Sequence, residues 1–249
     1  MQQFVKNPNL PSGKVTAAAI GEAYADKLCA ALEQFGVRLF RCPNNLYVDT
    51  RLSSHIDLSF FHIGGKRFLL SKSASESSFE DELKQLGAEI IVSEKRLAPE
   101  YPNDAFLCAL SIGGRVFHNT KLTDPNIRTL FPSILFHVKQ GYAKCAVCPV
   151  TENAAISSDQ GLSKAMREQG IEVLEIASGY IALEGFAEGF IGGSAFKIAP
   201  DKLAFTGRLD RHPDKPRVEE FLSKHGIFPV YLTDKPVFDV GSIIPIIEI

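Results

Sequence analysis

The segment SSHIDLSFFHIGG, residues 53–65, places His55 and Asp57 two positions apart inside an apolar run. Alternate residues of a strand point to the same side, so a strand here predicts that the imidazole and the carboxylate face the same way. Ionisable side chains are costly to bury and are rarely placed among Ile, Leu and Phe without a partner. The pair suits proton transfer near neutral pH, whereas the alternative is a structural pair that orients a loop.

A second spacing with chemical meaning is CAVC at residues 145–148, because zinc and redox sites use C-x-x-C. No other pair of Cys or His has metal-binding spacing, and KCAVCPV is typical of a strand that runs into a turn. Cys145 and Cys148 are therefore expected in the core, and no metal site or cofactor is predicted. The glycines of GFIGGS, residues 189–194, lack nucleotide-binding spacing and are expected either to let backbones crowd together or to let the backbone approach a ligand closely.

The elements that must position these residues recur along the chain as an amphipathic helix, a break and an apolar strand. Four helices are predicted to end at Gly36, Gly87, Gly170 and Gly226, and a fifth ends before Pro132. Two short strands around a turn precede the helices. These turns are predicted at residues 64–65, 113–114, 152–153 and 200–201.

The chain ends in a bare strand, VGSIIPIIEI, whose missing helix and closing strand are supplied by the first 42 residues. Units of about 40 to 55 residues are typical of propellers and solenoids. We therefore expect one α/β domain over residues 1–249, a five-bladed, pseudo-fivefold ββαβ propeller. Its N- and C-terminal segments share one blade and close the ring, which covers a sheet edge.

Bulk composition argues against several classes of protein. The net charge of −2 disfavours nucleic-acid binding through a basic face. No apolar run reaches the roughly 18 residues of a membrane-spanning helix. The first 14 residues lack the apolar region of a secretory signal, and five cysteines without that signal indicate reduced thiols in the cytoplasm.

The unit pattern and the motif HIDLSFFHIGGKRFLL resemble the pentein, or arginine-deiminase-like, α/β propellers. The phrases GYAKCAVCPV and GFIGGSAFKI are similar to a bacterial family of unassigned function within that superfamily. The resemblance implies chemistry on guanidino groups. A cysteine thiolate attacks the central carbon, a histidine transfers protons, and carboxylates hold the nitrogens of the planar cation.

Carried over to this sequence, the resemblance implies that His55 is the general acid and base and that Asp57 orients it or holds substrate. It implies Cys108, on the following blade, as the nucleophile and Asp239, in VFDVGSIIP, as a second substrate-binding carboxylate. The alternation of DAFLCALSI also fits a core cysteine at position 108, and this alternative stays open. If the protein is an enzyme with this nucleophile, we expect the Cys108 sulfur to lie within about 4 Å of a ring nitrogen of His55, or to reach that distance when a ligand binds.

Glu188 and Asp49 are further candidates for a central acidic pocket, with solvated loop acids as the alternative. The leading hypothesis is a thiol-dependent hydrolase or transferase that acts on a cationic, guanidino-like small molecule. The alternative is a catalytically silent pentein that binds a ligand or a protein partner. The sequence leaves open the substrate, the choice among hydrolase, deiminase and transferase, and the oligomeric state.

Overall fold

The computed structural model describes residues 1–249, which form five small β-sheets and six α-helices. The strands are β1 (Gln3–Phe4), β2 (Val15–Gly21), β3 (Arg38–Cys42), β4 (Phe60–Gly64), β5 (Arg67–Leu70), β6 (Glu89–Val92), β7 (Leu110–Ile112), β8 (Arg115–His118), β9 (Leu135–His137), β10 (Val147–Thr151), β11 (Ala154–Ser157), β12 (Glu172–Glu175), β13 (Ala195–Ala199), β14 (Lys202–Phe205), β15 (Phe228–Tyr231) and β16 (Ile244–Glu248). The helices are α1 (Glu22–Gln34), α2 (Ser78–Gln85), α3 (Pro125–Leu130), α4 (Ala143–Ala146), α5 (Gln160–Glu168) and α6 (Lys215–Lys224). Two 3₁₀ helices span Thr50–Leu52 and Ile56–Leu58.

Four sheets repeat one arrangement of three strands, in the orders β4-β5-β6, β7-β8-β9, β10-β11-β12 and β13-β14-β15. In each sheet an antiparallel hairpin is followed by a strand that is parallel to the second hairpin strand. A parallel pair needs a crossover, and α2, α3, α5 and α6 supply it. The predicted ββαβ units are therefore present, with α4 as the one helix outside the pattern.

The fifth sheet is built from both ends of the chain, in the order β1-β16-β2-β3. Strand β16 is antiparallel to β1 and to β2, while β2 and β3 are parallel and are connected through α1. The first 42 residues thus complete the unit that the last strand begins, as the sequence predicts.

Helix-breaking residues, four glycines and one proline, account for where the helices end. The four glycines predicted to end helices have φ values of 69° to 89°, a conformation that glycine adopts without a Cβ penalty. The short α3 has no such glycine and ends at Leu130, ahead of Pro132, as predicted. At its start Asp124 is the N-cap, and its side chain accepts a hydrogen bond from the Asn126 amide at 2.8 Å. No helix combines the length and the apolar character needed to cross a bilayer.

Buried side chains form six hydrophobic clusters, five of which lie between two sheets. Each of the five joins sheets that are consecutive in the chain, for example Phe60 and Phe68 of the β4-β5-β6 sheet with Phe40 of the terminal sheet. The cluster around Phe196 and Leu28 joins the last three-stranded sheet back to the terminal sheet. Adjacent sheets are therefore held together by shared apolar cores.

One buried carboxylate fastens the two ends of the chain. Glu248, in β16, is 0% exposed, and its oxygens accept hydrogen bonds from the amides of Ser12 at 2.6 Å and Gly13 at 2.9 Å. The Ser12 hydroxyl and the Gln3 side-chain amide also donate to it, at 2.8 and 3.3 Å. An ionised carboxylate without these donors would be costly to bury, so the N-terminal segment and β16 depend on each other.

Replacing Glu248 with Gln should lower the free energy of unfolding by about 2 to 3 kcal/mol, because the amide loses the charge and sets an N–H against the N–H donors. The control is Glu89→Gln, an exposed residue of β6 that is ion-paired only with Lys66, which should leave stability unchanged. Urea unfolding of both variants measures the effect. Equal midpoints would show that Glu248 does not hold the two ends together.

Candidate active site

His55 and Asp57 lie just ahead of a hairpin strand. The prediction that both belong to the strand is wrong, because Asp57 is in the Ile56–Leu58 3₁₀ helix and β4 begins only at Phe60. His55 precedes the turn in extended conformation, and its carbonyl accepts the Leu58 amide at 3.1 Å. Both ionisable side chains are buried, at 4% and 1% exposure.

Cys145 also lies ahead of its strand, in the single turn of α4 that leads into β10. The sequence predicts a strand at this position, and that prediction is wrong for Cys145 but correct for Cys148, which is in β10 and packs in the core. The turn is anchored by the Lys144 amide, which donates to the Cys108 carbonyl at 3.0 Å, and by the Gly193 amide, which donates to the Cys145 carbonyl at 3.0 Å.

The structure brings Cys145 together with His55 and Asp57. One potential ligand atom of each, a ring nitrogen, a carboxylate oxygen and the sulfur, all lie within 4.8 Å of one another. The Cys145 thiol donates to Asp57 Oδ2 at 2.7 Å. His55 Nε2 and Asp57 Oδ1 are buried and have no hydrogen-bond partner. Buried polar atoms are nearly always paired, so these two atoms are available to a ligand.

Two residues that the sequence analysis did not identify hold the Asp57 carboxylate. The Ser242 hydroxyl donates to Asp57 Oδ2 at 2.7 Å, and the buried Lys144 ammonium donates to Ser242 Oγ at 3.1 Å and to the Gly192 carbonyl at 3.2 Å. Ser242 has a φ of 80°, a strained value for a residue other than glycine, and such strain persists only where contacts enforce it. The available signal was a charged lysine inside the apolar run GYAKCAVCPV.

Asp239 is a second buried carboxylate, 2% exposed. Its two oxygens accept the amides of Phe190 and Gly241, each at 2.8 Å. Gly193 packs directly against it, since a Cβ on Gly193 would lie 1.9 Å from Asp239 Oδ1. A Cβ on Gly192 would lie 2.0 Å from the Val147 carbonyl oxygen, so the predicted crowding of backbones around the glycines of GFIGGS is confirmed. The close approach of Gly193 fixes the orientation of the Asp239 carboxylate.

His55, Cys145 and Asp239 line a cavity of about 210 Å³. Its polar lining consists of His55, Tyr142, Cys145, Glu188 and Asp239, and its apolar lining consists of Leu52, Leu58, Leu183, Phe186 and Phe190. Two carboxylates and no Lys or Arg line the space, so it favours a cationic ligand with an apolar surround. A wider outer cavity of about 580 Å³ shares Leu183, Phe186 and Asp239 with it.

Four of the lining residues occupy equivalent positions in four of the five repeated units. His55, Tyr142, Phe190 and Asp239 each stand five residues before the first strand of their unit, and all four line the cavity. A second set of equivalent positions lies two residues before the first strand of each of the five units. In chain order, these are Leu58, Cys108, Cys145, Gly193 and Ser242. Four of the five repeated units therefore each deliver one short segment to the cavity lining.

Burial dominates the electrostatics of the site. It raises the pKa of the Cys145 thiol well above its usual range, and the hydrogen bond with Cys108 and the carboxylates of Asp57 and Asp239 act in the same direction. Burial also raises the pKa of Asp57, against the opposing effects of His55 and of the Cys145 hydrogen bond. The thiol is consequently protonated at neutral pH, and a bound cation would lower its pKa by offsetting the carboxylate charge.

Cys108 lies behind this group and not within it. It is fully buried and packs with Val48, Leu52, Leu58 and Cys145. Burial raises the pKa of its thiol, while hydrogen bonding with Cys145 opposes that rise. Cys108 does not line the cavity, whereas Cys145 does. The cysteine that the structure sets beside His55 and Asp57 thus comes from the next unit along the chain.

The two remaining predicted carboxylates have different surroundings. Glu188 lines the cavity, as expected. Asp49 does not line it, because its carboxylate accepts Arg51 Nε and the Arg51 amide, both at 2.9 Å, and caps the first 3₁₀ helix. The Arg51 hydrogen bonds lower the pKa of Asp49 to about 2. The negative charge of Asp49 is thus already balanced by the Arg51 guanidinium.

Comparison with solved structures identifies the class of fold. An inosamine-phosphate amidinotransferase from Streptomyces griseus has a TM-score of 0.58 at 11% identity, over 98% of this chain and 97% of its own. An amidinotransferase of the saxitoxin pathway from Microseira wollei has a TM-score of 0.57 at 11% identity, over 94% and 96%. A DDAH from Pseudomonas aeruginosa, a cysteine-to-serine mutant complexed with citrulline, has 0.54 at 10% identity, over 88% and 92%. These neighbours are members of the pentein superfamily, and the resemblance drawn from the sequence is confirmed.

The particular family follows from the sequence comparison. Residues 19–244 match the family of unknown function DUF6873, and the chain belongs to that family. No curated protein sequence matches the chain significantly.

The close packing of Gly241 against His55 generates a prediction. Gly241 and Gly114 have similar φ values, 65° and 73°, but a Cβ on Gly241 would lie 2.2 Å from His55 atoms, whereas one on Gly114 would meet nothing within 4 Å. Gly114→Ala should cost about 1 kcal/mol for its backbone conformation. Gly241→Ala should cost a further 1 to 3 kcal/mol or so, because His55 must move.

Urea unfolding of the two alanine variants tests this packing, since their backbone costs are matched. The chemical shifts of the His55 imidazole should change in Gly241→Ala and remain as in the wild type in Gly114→Ala. Equal stabilities with unchanged shifts would contradict the position of His55 described above.

Proposed function

We propose that this protein is an enzyme that acts on a guanidino or amidine compound, with Cys145 as nucleophile and His55 as general acid and base. The observation that carries the proposal is the Cys145–His55–Asp57 group at an acidic cavity, with two of its buried polar atoms unpaired. The structural neighbours include two amidinotransferases and a protein complexed with citrulline, which supports the same class of substrate.

Substrate binding uses the carboxylates. A planar guanidinium or amidinium carries N–H groups in a fixed plane, which carboxylate oxygens accept best. Asp239 uses one lone pair of each oxygen for a backbone amide and keeps the others for substrate. Glu188 adds negative charge at the cavity wall, and Asp57 adds its charge from behind the lining, where it accepts the Cys145 thiol.

The chemical steps begin from a Cys145 thiol that donates to Asp57 Oδ2, with the unpaired His55 Nε2 as the proposed proton acceptor. The bound cation offsets the nearby carboxylates, and the Cys145 proton passes to His55. The thiolate then forms a bond to the central carbon, and collapse of the tetrahedral adduct breaks a C–N bond as His55 protonates the leaving amine. Water or an acceptor amine next attacks the amidino carbon as His55 takes its proton, and cleavage of the C–S bond returns that proton to the Cys145 sulfur. The acceptor distinguishes a hydrolase from a transferase.

We also propose that the five sheets close into a five-bladed ring with this cavity near its axis. Two observations support the closure. The five inter-sheet clusters pair the sheets in a cyclic order, and equivalent segments of four sheets line one cavity. In this ring the unit that begins with β10 contributes Cys145 to the cavity lining, whereas the unit that begins with β7 contributes no cysteine to it.

Labelling with 2-chloroacetamidine should modify Cys145 in the full-length protein, because the probe is an amidinium cation that carries an electrophilic carbon. The neutral isostere 2-chloroacetamide should react at least about tenfold more slowly, since it gains nothing from the acidic cavity. Peptide mass spectrometry locates the adduct. Cys145→Ser should abolish labelling, and Cys108→Ser should retain it.

The result that would overturn the proposal is the absence of cation-enhanced labelling at Cys145 in a protein that circular dichroism shows to be folded. That outcome would leave the catalytically silent, ligand-binding alternative. Labelling lost in Cys108→Ser but kept in Cys145→Ser would return the nucleophile to Cys108.

The raised pKa of Cys145 generates a prediction on pH. Only the thiolate is alkylated, and a thiol whose pKa lies well above the usual range is mostly protonated from pH 6 to 9. The rate at which iodoacetamide alkylates Cys145 should therefore rise roughly tenfold per pH unit over this range. A saturating, unreactive amidine such as acetamidine, bound so that the Cys145 sulfur stays accessible, should shift the pH dependence of Cys145 alkylation to lower pH. Its positive charge stabilises the thiolate. A plateau below pH 8 without ligand would contradict the raised pKa.

A further inference from the structure

The side chains of Cys145, His55 and Asp57 offer one sulfur, one nitrogen and one oxygen donor at a single point. Each of these donor types is a common ligand of Zn²⁺, and three protein ligands with one open position is the arrangement of reactive zinc centres. All three side chains are buried, at 3%, 4% and 1% exposure. No other group of three or more such donors in the chain is close enough to hold a metal ion.

The spacing of the donors is close to what tetrahedral zinc requires. Bonds of about 2.0 to 2.3 Å place neighbouring ligand atoms roughly 3.3 to 3.8 Å apart. The three donors already lie within 4.8 Å of one another, so a small inward movement of the side chains completes the geometry. His55 Nε2 and Asp57 Oδ1 have no other partner, and ligation of zinc would satisfy buried donor atoms that the fold leaves unpaired.

The local charges also suit a dication. Zinc displaces the thiol proton, so the thiolate and the Asp57 carboxylate together neutralise its charge. Lys144 adds a nearby positive charge through its contact with Ser242, and Asp239, close enough to Cys145 to affect its pKa, balances that charge. Because Cys145 and His55 line the cavity, the fourth ligand position opens towards it.

We propose that Cys145, His55 and Asp57 form a Zn²⁺ site whose fourth position faces the cavity, and that zinc and a cationic ligand exclude each other there. Zinc binding itself does not require the proposed enzymatic function. The inhibitory consequence rests on it, because a zinc-bound sulfur cannot attack a substrate. The site therefore has two mutually exclusive cationic occupants, a metal ion and an amidinium.

The test is a titration of metal-stripped, full-length protein with Zn²⁺ in competition with a chromophoric chelator. We expect one equivalent to bind, and Cys145→Ser and His55→Gln should each weaken binding by about 100-fold or more. The control is Cys29→Ser, which removes the half-exposed thiol that donates to Glu33 at 3.2 Å and should leave the equivalent in place. Circular dichroism verifies that each variant is folded.

A second readout needs no variant. Co²⁺ in place of zinc should give a thiolate-to-metal charge-transfer band in the near ultraviolet, and Zn²⁺ should block 2-chloroacetamidine labelling of Cys145. Absence of a bound equivalent, or an equivalent retained in folded Cys145→Ser, overturns the zinc site. Labelling without zinc binding refutes this inference alone, whereas zinc binding without labelling refutes the proposed enzyme alone.

Discussion

The buried carboxylate of Asp57 is the constraint on which the site depends. A carboxylate with 1% exposure needs donors, and it receives them from Cys145 and Ser242, with Lys144 behind Ser242. Those donors come from segments that lie far apart in the sequence, so satisfying one side chain fixes the relative positions of three sheets. The strained φ of Ser242 and the buried Lys144 are understandable as costs of that arrangement.

Much of the fold could be predicted because its signals are local. The helices that end at glycine, the four hairpin turns and the sharing of one sheet by both ends of the chain all follow from periodicity and punctuation, and the structure has them. The site was harder, because its side chains lie in the irregular segments between units. A 3₁₀ turn at Asp57 and a single helical turn at Cys145 are too short to leave a periodic pattern.

The choice between two cysteines shows where sequence reasoning stops. Cys108 and Cys145 stand at the same position of successive units, two residues before the first strand, so local pattern cannot separate them. They differ in their long-range contacts, because Cys145 lies against Asp57 whereas Cys108 packs in an apolar cluster. Lys144 carried a usable signal, because a lysine beside a cysteine in an apolar run must find a partner on burial. Asp239 was predicted from the family resemblance, and the structure explains the nearby Gly241, where the close approach of His55 admits no side chain.

The terminal sheet has a consequence for how this architecture can vary. Strand β1 pairs with β16, with Gln3 opposite Glu248, so the two ends of the chain lie on neighbouring strands. A short linker between them and a new opening at the 113–114 turn would give a circular permutant that keeps every sheet intact. The site therefore does not require that His55, Cys145 and Asp239 occur in this order along the chain. A search for relatives by ordered motif would miss any that begin in another unit.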